Sequence, residues 1–433
     1  MSASARPSPD VAIVGLGRVG LPLALSFADR GLNVLGIDND AERLQAVAAG
    51  RMPFQETDAD ELMARVHASG RLRTSDRVAD GAQADAIVLT LGTPSFSHIE
   101  IDMRDIRAAL DDLLPHLRPG HAIVLRSTVA PGTTEFVAGY LERQRGLRAG
   151  VDVHVAHVPE RIATGKFLAE IDTLPCIVGA VGGTDSGEHV ARLFECFEAP
   201  IVQTTPVQAE LAKIWANILR YTHFALPNLL MMDCEQYGAN VFEVIDLINR
   251  DYPRGGIAQP GFTAGTCLRK DFTFSEERSN APGMLLAVSR VNESVPHFLV
   301  QGMKRRSPEQ TLNGRKVAVL GLAFKGNTDD ERDSLAHKLI RLLERELADV
   351  AVHDPLVASP TQPLDAALKD ANVVVVAANH AAFAPRETTA AIGALAAADC
   401  LVVDPWNHLG SGQVFAFADE LAPLSAPPEA RPS

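Results

Sequence analysis

Short apolar runs recur along the chain and are separated by longer amphipathic stretches. The first run, Val11 to Val14, leads directly into Gly15, and a second run follows at 33–38. Further runs lie at 86–91, 122–125 and 151–157. Strands that are apolar on both faces are typical of a parallel sheet covered by helices on both sides. The first part of the chain is therefore predicted to be a doubly wound α/β domain.

The pattern changes after Pro206, because 207–248 carries apolar residues at helical spacing and almost no glycine. Pro227 lies inside this segment and is expected to kink or divide the helix. From Lys316 the strand-to-glycine opening recurs. Apolar runs then follow at 350–352, 373–377 and 401–403. The predicted fold class is α/β, with two Rossmann-like doubly wound domains joined by a central helical segment.

Composition agrees with a protein of two or three domains, since the chain has 433 residues, 46% of them hydrophobic and 22% charged. No apolar run approaches the roughly 20 residues that span a bilayer. The N-terminal residues lack the apolar core of a signal peptide. We therefore expect a cytoplasmic protein without a membrane partner.

Charge and cysteine usage narrow the function further. A net charge of -14 argues against a nucleic-acid partner, because binding along phosphates requires a basic surface. The five cysteines are odd in number and have no C-x-x-C spacing, which disfavours a disulfide framework and a zinc site. We expect a reducing compartment and no metal.

A dinucleotide-binding fingerprint comes directly after the first predicted strand. Gly15 permits a tight turn, Gly17 allows a pyrophosphate to approach the backbone, and Gly20 allows close helix-to-strand packing. The helix N-terminus supplies amides and a positive dipole. Asp38 ends the second strand, where a carboxylate accepts hydrogen bonds from ribose hydroxyls and repels a 2′-phosphate. The predicted cofactor is NAD rather than NADP.

Two polar clusters in the middle of the chain are candidates for chemistry. Lys213 and Asn217 are four residues apart on a predicted helix and share one face with Glu210, so they form either a solvated polar face or part of a site. Cys267 lies in a glycine-rich turn before Lys270 and Asp271, and a nearby cation raises the thiolate fraction. The alternative for Cys267 is a small buried hydrophobe, which is the interpretation of the other four cysteines.

Several short motifs follow one another along the chain: Gly15 to Pro22, Gly92 to Pro94, Ser127 to Thr134, Pro159 to Arg161, Ala209 to Lys213 with Asn217, Tyr252 to Arg254, Gly261 to Asp271, and Gly321 to Ser334. With these motifs in this order, the chain from Val11 to about Asn407 resembles the UDP-glucose/GDP-mannose dehydrogenases. Within this family, the resemblance is greater to members that oxidise UDP-N-acetylhexosamines.

The resemblance implies a two-step oxidation of a UDP-sugar at C6. Cys267 would add to the first product, an aldehyde, as a thiohemiacetal, and a second oxidation would give a thioester that water hydrolyses. Lys213 and Asn217 would stabilise the oxyanion, and Asp271 would orient or deprotonate the water. Thr128 and Glu160 would complete the catalytic site, although Glu160 has two possible roles, in cofactor contact or in proton relay.

The resemblance also implies ligand contacts and a partner subunit. Cofactor contacts would come from Gly15, Gly17, Val19, Gly20, Asp38, Thr93, Thr128 and Arg332. Substrate contacts would come from Glu160, Arg161, Lys213, Arg220, Arg254 and Lys325. Arg254 would reach the substrate of a neighbouring subunit, so a homodimer or higher homo-oligomer is expected. The alternatives are a turn-capping role for Arg254 and plain surface charge for Lys325 and Arg332.

The resulting domain organisation has five parts. These are a disordered lead-in (1–10), an NAD-binding Rossmann domain (11–205), a central helical dimerisation and catalytic segment (206–305), a UDP-sugar-binding α/β domain (306–421) and a flexible tail (422–433).

The chain departs from the family pattern at several positions. Thr266 replaces the second of two glycines before the cysteine, Arg269 replaces a proline, and Leu229 replaces a glutamate. Thr164 stands where UDP-glucose enzymes often carry a second glutamate. A neutral Thr164, together with Arg220, favours a UDP-N-acetylhexosamine over UDP-glucose as the substrate.

Two other functions share some of these features. A 6-phosphogluconate or β-hydroxyacid dehydrogenase also pairs a glycine loop with a Lys-x-x-x-Asn helix, but it leaves Cys267 and the second α/β domain unexplained. A silent nucleotide-sugar-binding protein would keep the fold without turnover. The predicted yields of NADH per substrate are two for the two-step enzyme, one for the simple dehydrogenase and none for the binder.

Overall fold

The structure is a computed structural model that describes residues 8–93, 103–263, 265–276 and 283–421. Contacts divide the chain into two compact units. The described residues of 1–216 and 273–278 form the first unit, and those of 217–272 and 279–433 form the second. The predicted tail and most of the predicted lead-in lie outside the described residues.

An eight-stranded sheet forms the centre of the first unit, in the order β3-β2-β1-β4-β5-β6-β7-β8. Its strands are β1 (Val11–Val14), β2 (Val34–Ile37), β3 (Leu72–Ser75), β4 (Ala86–Leu89), β5 (Ala122–Leu125), β6 (His154–His157), β7 (Cys176–Ala180) and β8 (Ile201–Thr204). Neighbouring strands are parallel except β6 and β7. The reversal of strand order at β1 and β4 is the doubly wound topology predicted from the apolar runs.

Helices cover both faces of this sheet because both faces of its strands are apolar. In β1, Val11 and Ile13 pack into one buried cluster, while Ala12 and Val14 pack into another. The helices are α1 (Gly20–Asp29), α2 (Ala41–Ala48), α3 (Ala59–Ser69), α4 (Arg104–Leu113), α5 (Thr133–Arg145), α6 (Phe167–Glu170) and α7 (Thr184–Phe194). Short 3-10 helices occur at Val78–Gln83 and Leu114–His116.

A single long helix, α8 (Pro206–Tyr237), comes after the first sheet. It continues through Pro227, so the expected division at that residue does not occur. The helix ends before Gly238, whose φ of +67° is a left-handed conformation that glycine adopts at little cost. The end of the helix is therefore determined by this glycine rather than by the proline.

A five-stranded sheet forms the centre of the second unit, in the order β10-β9-β11-β12-β13. Its strands are β9 (Lys316–Leu320), β10 (Asp349–His353), β11 (Val373–Val376), β12 (Leu401–Val403) and β13 (Phe415–Phe417). Only the pairing of β12 with β13 is antiparallel within this sheet. Val317 and Val319 face one buried cluster and Ala318 and Leu320 the other, which repeats the two-faced pattern of β1.

The remaining helices of the chain include the segment that carries Cys267. They are α9 (Val241–Asn249), α10 (Thr266–Asp271), α11 (Thr273–Glu276), α12 (Met284–Arg306), α13 (Leu335–Arg345), α14 (Leu364–Leu368) and α15 (Pro385–Leu395). Single 3-10 turns occur at Pro308–Gln310 and Ala418–Glu420. Among the residues that the structure describes, no helix combines the length and apolar character needed to cross a membrane.

The structure confirms the predicted fold class and adds strands that the apolar pattern did not indicate. These are β3, β7, β8 and β13. The edge strand β3 reads Leu-Arg-Thr-Ser and β8 reads Ile-Val-Gln-Thr, so neither has the apolar run of an inner strand. Edge strands are exposed along one side, and polar residues there are typical.

Candidate active site

The glycine turn after β1 has the geometry of a dinucleotide cradle. Gly15 has a φ of +99°, and its amide donates to the Ile37 carbonyl over 2.7 Å. A Cβ on Gly20 would lie 1.8 Å from the Gly15 carbonyl oxygen, so only glycine fits there. A Cβ on Gly17 would meet no atom within 4 Å, which leaves this backbone open to a ligand. These residues therefore fit NAD.

Asp38 is buried at the end of β2 and already has protein partners. Its Oδ2 accepts the Leu16 amide over 2.6 Å and pairs with the Arg43 guanidinium over 2.9 Å. Its Oδ1 accepts the Asp40 amide over 3.0 Å. Asp38 therefore stabilises the glycine turn itself, and a ribose would share this carboxylate with Arg43.

Two predicted residues meet at the carboxyl ends of β4 and β5. The Thr93 hydroxyl donates to the Thr128 carbonyl oxygen over 2.9 Å. Thr93 is buried and Thr128 is partly exposed. This bond joins two loops at the edge where parallel sheets of this kind bind ligands. The proline after Thr93 lies outside the described residues.

Glu160 forms a buried ion pair that the sequence did not predict. Its Oε2 accepts from Arg126, at the end of β5, over 2.6 Å, and its Oε1 accepts the Ile162 amide over 2.6 Å. The Arg161 guanidinium instead donates to the Pro175 carbonyl over 2.7 Å. Because both oxygens of the Glu160 carboxylate already accept protein donors, Glu160 suits a positioning role better than a proton relay.

Glu210 is fully buried and is not part of a solvated polar face. Its carboxylate accepts the Gly132 amide over 2.7 Å, the Thr134 amide over 2.8 Å and the Thr134 hydroxyl over 2.6 Å. These are the first donors of α5, so Glu210 caps that helix from α8. Burial raises its pKa although the three donors act in the opposite direction.

Lys213 is partly buried, one turn further along α8. Burial lowers the pKa of His157 to about 3, and the positive charge of Lys213 adds to this effect. Lys213 is therefore close to the carboxyl end of β6, which precedes Glu160. Arg220, by contrast, lies exposed on α8.

Asn217 and Asp271 are brought together within the second unit. The Asn217 side-chain amide donates to Asp271 Oδ2 over 2.5 Å, and both side chains are buried. The Lys270 ammonium lies 3.9 Å from Asp271 Oδ1. The sequence separates Asn217 from Asp271 by 54 positions, so this contact is a product of the tertiary fold.

Cys267 is the only exposed cysteine of the five. It occupies the first turn of α10, four residues before Asp271. Burial raises the pKa of the Cys196 thiol to about 11 and that of Cys400 to about 12. Burial also raises the pKa values of Cys176 and Cys234. Cys267 is therefore the thiol best suited to act as a nucleophile.

Arg269 ties the Cys267 helix to two other elements. Its Nε lies 2.6 Å from Glu293 on α12, and its Nη1 donates to the Asp333 carbonyl over 3.2 Å. Lys338 also pairs with Glu293, over 3.0 Å. A proline at position 269 could make none of these contacts. The arginine found here in place of the family's proline therefore connects α10 to α12 and to the loop at Asp333.

The loop between β9 and α13, residues 321–334, carries Lys325 and Arg332. Lys325 is partly exposed. Arg332 binds Asp330 through two hydrogen bonds, of 2.8 Å and 2.7 Å, which raise the pKa of the guanidinium. Cys267 adds to the same increase, which indicates that its thiol lies near the Arg332 guanidinium.

Arg254 is exposed beside Tyr252, with its guanidinium 5.5 Å from the centre of the ring. Both side chains project from the turn after α9. Within the described residues, no three or more His, Cys, Asp or Glu side chains converge as ligands for a metal ion.

Three buried groups that contact predicted site residues or their loops were not predicted: Arg126, which pairs with Glu160, and Asp354 and His380, which accept amides of the 321–334 loop. Arg126 directly precedes the recognised Ser127-Thr128 pair, so its position could have drawn attention. Asp354 comes after β10 just as Asp38 comes after β2, which is a detectable repeat. His380 has no local signal, because its partners are distant in sequence.

Three family models match consecutive parts of the chain. They are the NAD binding domain (9–198), the central domain (207–294) and the UDP binding domain (318–411) of the UDP-glucose/GDP-mannose dehydrogenase family.

Similar proteins are matched over nearly their whole length. A UDP-N-acetyl-D-mannosamine dehydrogenase of Pyrococcus horikoshii is 32% identical over 86% of this chain and 90% of the relative. An NDP-N-acetyl-D-galactosaminuronic acid dehydrogenase of Ralstonia nicotianae is 31% identical over 87% and 92%. The solved structure of a UDP-D-ManNAc dehydrogenase from Pyrococcus horikoshii superposes with a TM-score of 0.85, at 30% identity over 92% and 95%.

Proposed function

We infer the function of this chain from the fact that it belongs to the UDP-glucose/GDP-mannose dehydrogenase family. We propose that it oxidises the C6 hydroxyl of a UDP-N-acetylhexosamine to a carboxylate. The chain is an NAD-dependent nucleotide-sugar dehydrogenase. The observation that carries the proposal is the exposed Cys267 on the same short helix as Asp271, which is hydrogen-bonded to Asn217.

The reaction balances with two oxidations and one hydrolysis. Removal of one hydride and one proton from the C6 alcohol gives an aldehyde, to which the Cys267 sulfur adds as a thiohemiacetal. Loss of a second hydride and proton gives a thioester. Water then cleaves the C–S bond, which releases the acid and restores the thiol. NAD, when bound, supplies the hydride acceptor for each oxidation.

The residues of the chain divide this work according to their chemistry. Lys213 and Asn217, one turn apart on α8, carry the donors for the developing oxyanion. Asp271 serves as base for the hydrolytic water, since its carboxylate is held by Asn217 and lies near Lys270. Glu160 and Thr128 position the reacting groups beside the cofactor loop, and Arg161, Arg220 and Lys325 serve the substrate.

The choice of an N-acetylated sugar rests on two observations. The two similar enzymes described above are named for N-acetylated sugars. Thr164 is neutral where a second carboxylate would add charge and bulk to the pocket. A buried hydrogen bond to an acetamido group discriminates strongly, because glucose would leave that partner unsatisfied.

Replacing Cys267 tests the mechanism. Cys267→Ala should form no acid, whereas Cys196→Ala, a control at another thiol, should keep wild-type turnover. The wild type should produce two NADH per sugar, and mass spectrometry of enzyme quenched during turnover should find the sugar on Cys267. Two NADH per sugar from Cys267→Ala would refute the covalent step.

A panel of nucleotide sugars tests the substrate. At saturating NAD, kcat/KM for UDP-GlcNAc or UDP-ManNAc should exceed that for UDP-glucose by about tenfold or more, which is about 1.4 kcal/mol of transition-state binding. An equal preference in the opposite direction would assign the enzyme to UDP-glucose and leave the two-step mechanism intact.

We also propose a homodimer through α8. This helix exposes Trp215, Leu219, Leu226 and Leu229, at spacings that place them along one side. An apolar stripe of this kind favours a symmetric partner. Arg254 would then reach the neighbouring subunit's substrate. Sedimentation should give a dimer for the wild type and a monomer for Leu219→Asp, while Val151→Asp, at another exposed apolar residue, should remain dimeric. An active wild-type monomer would exclude this proposal.

A further inference from the structure

The loop that carries Lys325 is hydrogen-bonded to a second segment, residues 379–381. These bonds involve the two loop residues that come directly after Lys325. The Gly326 amide donates to the Asn379 side-chain oxygen over 3.1 Å. The Asn327 amide donates to His380 Nδ1 over 2.9 Å. In return, the Ala381 amide donates to the Asn327 side-chain oxygen over 2.7 Å. Three hydrogen bonds thus join two consecutive loop residues to three consecutive residues after β11.

The backbone at this junction leaves little freedom. Asn327 has a φ of +56°, a left-handed conformation that asparagine tolerates better than most residues. A Cβ on Gly326 would lie 2.3 Å from the Asn379 carbonyl oxygen, so the two segments touch at the backbone. The backbone of the two residues after Lys325 is therefore held in place.

His380 connects this junction to the sheet. Because a backbone N–H can only donate, Nδ1 of His380 must be the acceptor of the Asn327 bond, and the ring proton is on Nε2. Nε2–H then donates to Asp354 Oδ2 over 3.1 Å. The Asp354 carboxylate also accepts the Leu322 amide over 2.6 Å and the Ala323 amide over 3.1 Å. One carboxylate and one imidazole thus hold the loop at two places, before and after Lys325.

The surroundings make these bonds specific. The His380 and Asp354 side chains have no solvent exposure, so water cannot replace a lost partner. A buried donor without an acceptor is destabilising. Loss of either side chain would leave amides of the 321–334 loop in that state. On the opposite side, the His380 ring packs edge-on against Phe383, which fixes its orientation.

We propose that His380 is a positioning residue for the nucleotide sugar, acting through the 325–327 backbone to fix the place of Lys325. This inference rests on the proposed role of Lys325 as a substrate contact. In this proposal His380 does not contact the substrate itself. It should affect the affinity for the nucleotide sugar and not the affinity for NAD.

Replacement of His380 by phenylalanine tests the inference, because the ring shape and the Phe383 contact remain while both nitrogens are lost. His380→Phe should raise KM for the nucleotide sugar about tenfold or more and change KM for NAD less than about twofold. His380→Gln, which restores a donor and an acceptor, should recover part of the loss. The control is His353→Gln, because His353 also packs on Phe383 but bonds the Gln362 carbonyl instead.

A double-mutant cycle distinguishes positioning from general damage. If His380 acts through Lys325, Lys325→Ala and His380→Phe together should raise KM for the sugar little more than Lys325→Ala alone. Additive effects, or equal increases in the two KM values, would overturn the inference. If Lys325→Ala leaves KM for the sugar unchanged, the proposed role of Lys325 fails first.

Should His380→Phe not fold, His380→Leu provides the same test. Leucine is apolar and smaller than phenylalanine, and it makes neither the bond from the Asn327 amide nor the bond to Asp354. A sugar KM raised severalfold at unchanged NAD KM supports the inference, and wild-type values for both refute it.

Discussion

After β1 and after β9 the chain turns at a glycine with a φ of +99°, and in both turns the glycine amide donates to the carbonyl that ends the neighbouring strand. An aspartate one residue beyond that strand then accepts the next amide over 2.6 Å, Asp38 in the first unit and Asp354 in the second. The two sheets thus begin with the same local structure.

The two turns differ in the residues that come after the glycine. After Gly15, the open Gly17 and the start of α1 at Gly20 leave backbone amides accessible. After Gly321, the corresponding second position is Ala323, which is buried, and α13 begins only at Leu335. The first turn can therefore accept a pyrophosphate at a helix N-terminus, whereas the second supports a long loop that bears side chains.

The aspartates show the same division. Asp38 pairs with the partly exposed Arg43, while Asp354 is enclosed with His380. Burial alone would raise the pKa of Asp354, but hydrogen bonds from His380 and from the Leu356 and Leu322 amides lower it below its usual value. A carboxylate in this position primarily stabilises the turn. Whether a ligand can also bind it depends on its side-chain partner, which is the partly exposed Arg43 for Asp38 and the buried His380 for Asp354.

The largest expected difference between the turns comes from neutralising each aspartate. Asp354→Asn should reduce the stability of the second unit by about 3 kcal/mol or more, because the buried donors of His380, Leu322 and Ala323 lose a charged acceptor, at about 1.5 to 3 kcal/mol for each such bond. Asp38→Asn should cost only about 1 to 2 kcal/mol and mainly raise KM for NAD. Hydrogen exchange of peptides from 321–334 and from 11–38 measures both. Asp365→Asn, at an exposed acid, is the control, and equal losses for Asp38 and Asp354 would contradict the comparison.

A smaller effect is expected from the second position of each turn. Gly17→Ala should raise KM for NAD about 10- to 100-fold, because a methyl group would occupy the space of the pyrophosphate, while the melting temperature stays the same. The reverse change, Ala323→Gly, should cost about 1 kcal/mol of stability and confer no NAD binding on the second turn. Calorimetric titration with NAD checks both. Unchanged NAD affinity in Gly17→Ala would show that the open backbone is not the cofactor site.

The smallest effect is a difference in acid sensitivity. Burial lowers the pKa of His157 from 6.5 to about 3 in the folded protein, so the unfolded chain binds the proton first as pH falls. The first unit should therefore lose stability below pH 6.5, by about 1 kcal/mol between pH 6.5 and 5.5. Asp354 has a lowered pKa in the folded protein. Its contribution to the stability of the second unit is therefore fully present above pH 3.8 and is lost only at lower pH.

Denaturant unfolding at several pH values, monitored by hydrogen exchange in each unit, measures this difference. His157→Asn, which can still donate to the Leu125 carbonyl, should remove that pH dependence from the first unit. His67→Asn, at an exposed histidine, should retain it. A first unit equally stable at pH 6.5 and 5.5 would contradict the assignment.

The sequence alone determined the fold class and the glycine turn, and it indicated Cys267 as the candidate nucleophile. Each depends on residues that are close in the chain: apolar runs that become inner strands, glycines two and three positions apart, and a cysteine four residues before an aspartate. The edge strands β3 and β8 could not be predicted in this way, because pairing with a neighbour rather than an apolar pattern forms them.

Only the tertiary structure decided the partners of the charged groups. Asp38 meets Leu16 across 22 positions, Glu160 meets Arg126 across 34, and Asp354 meets His380 across 26. Glu210 carried a polar pattern that suits a solvated face, yet it is buried as the cap of α5. Hydrogen-bond and charge partners depend on which strand ends adjoin in the sheet, and crossover connections place those ends together from distant parts of the chain.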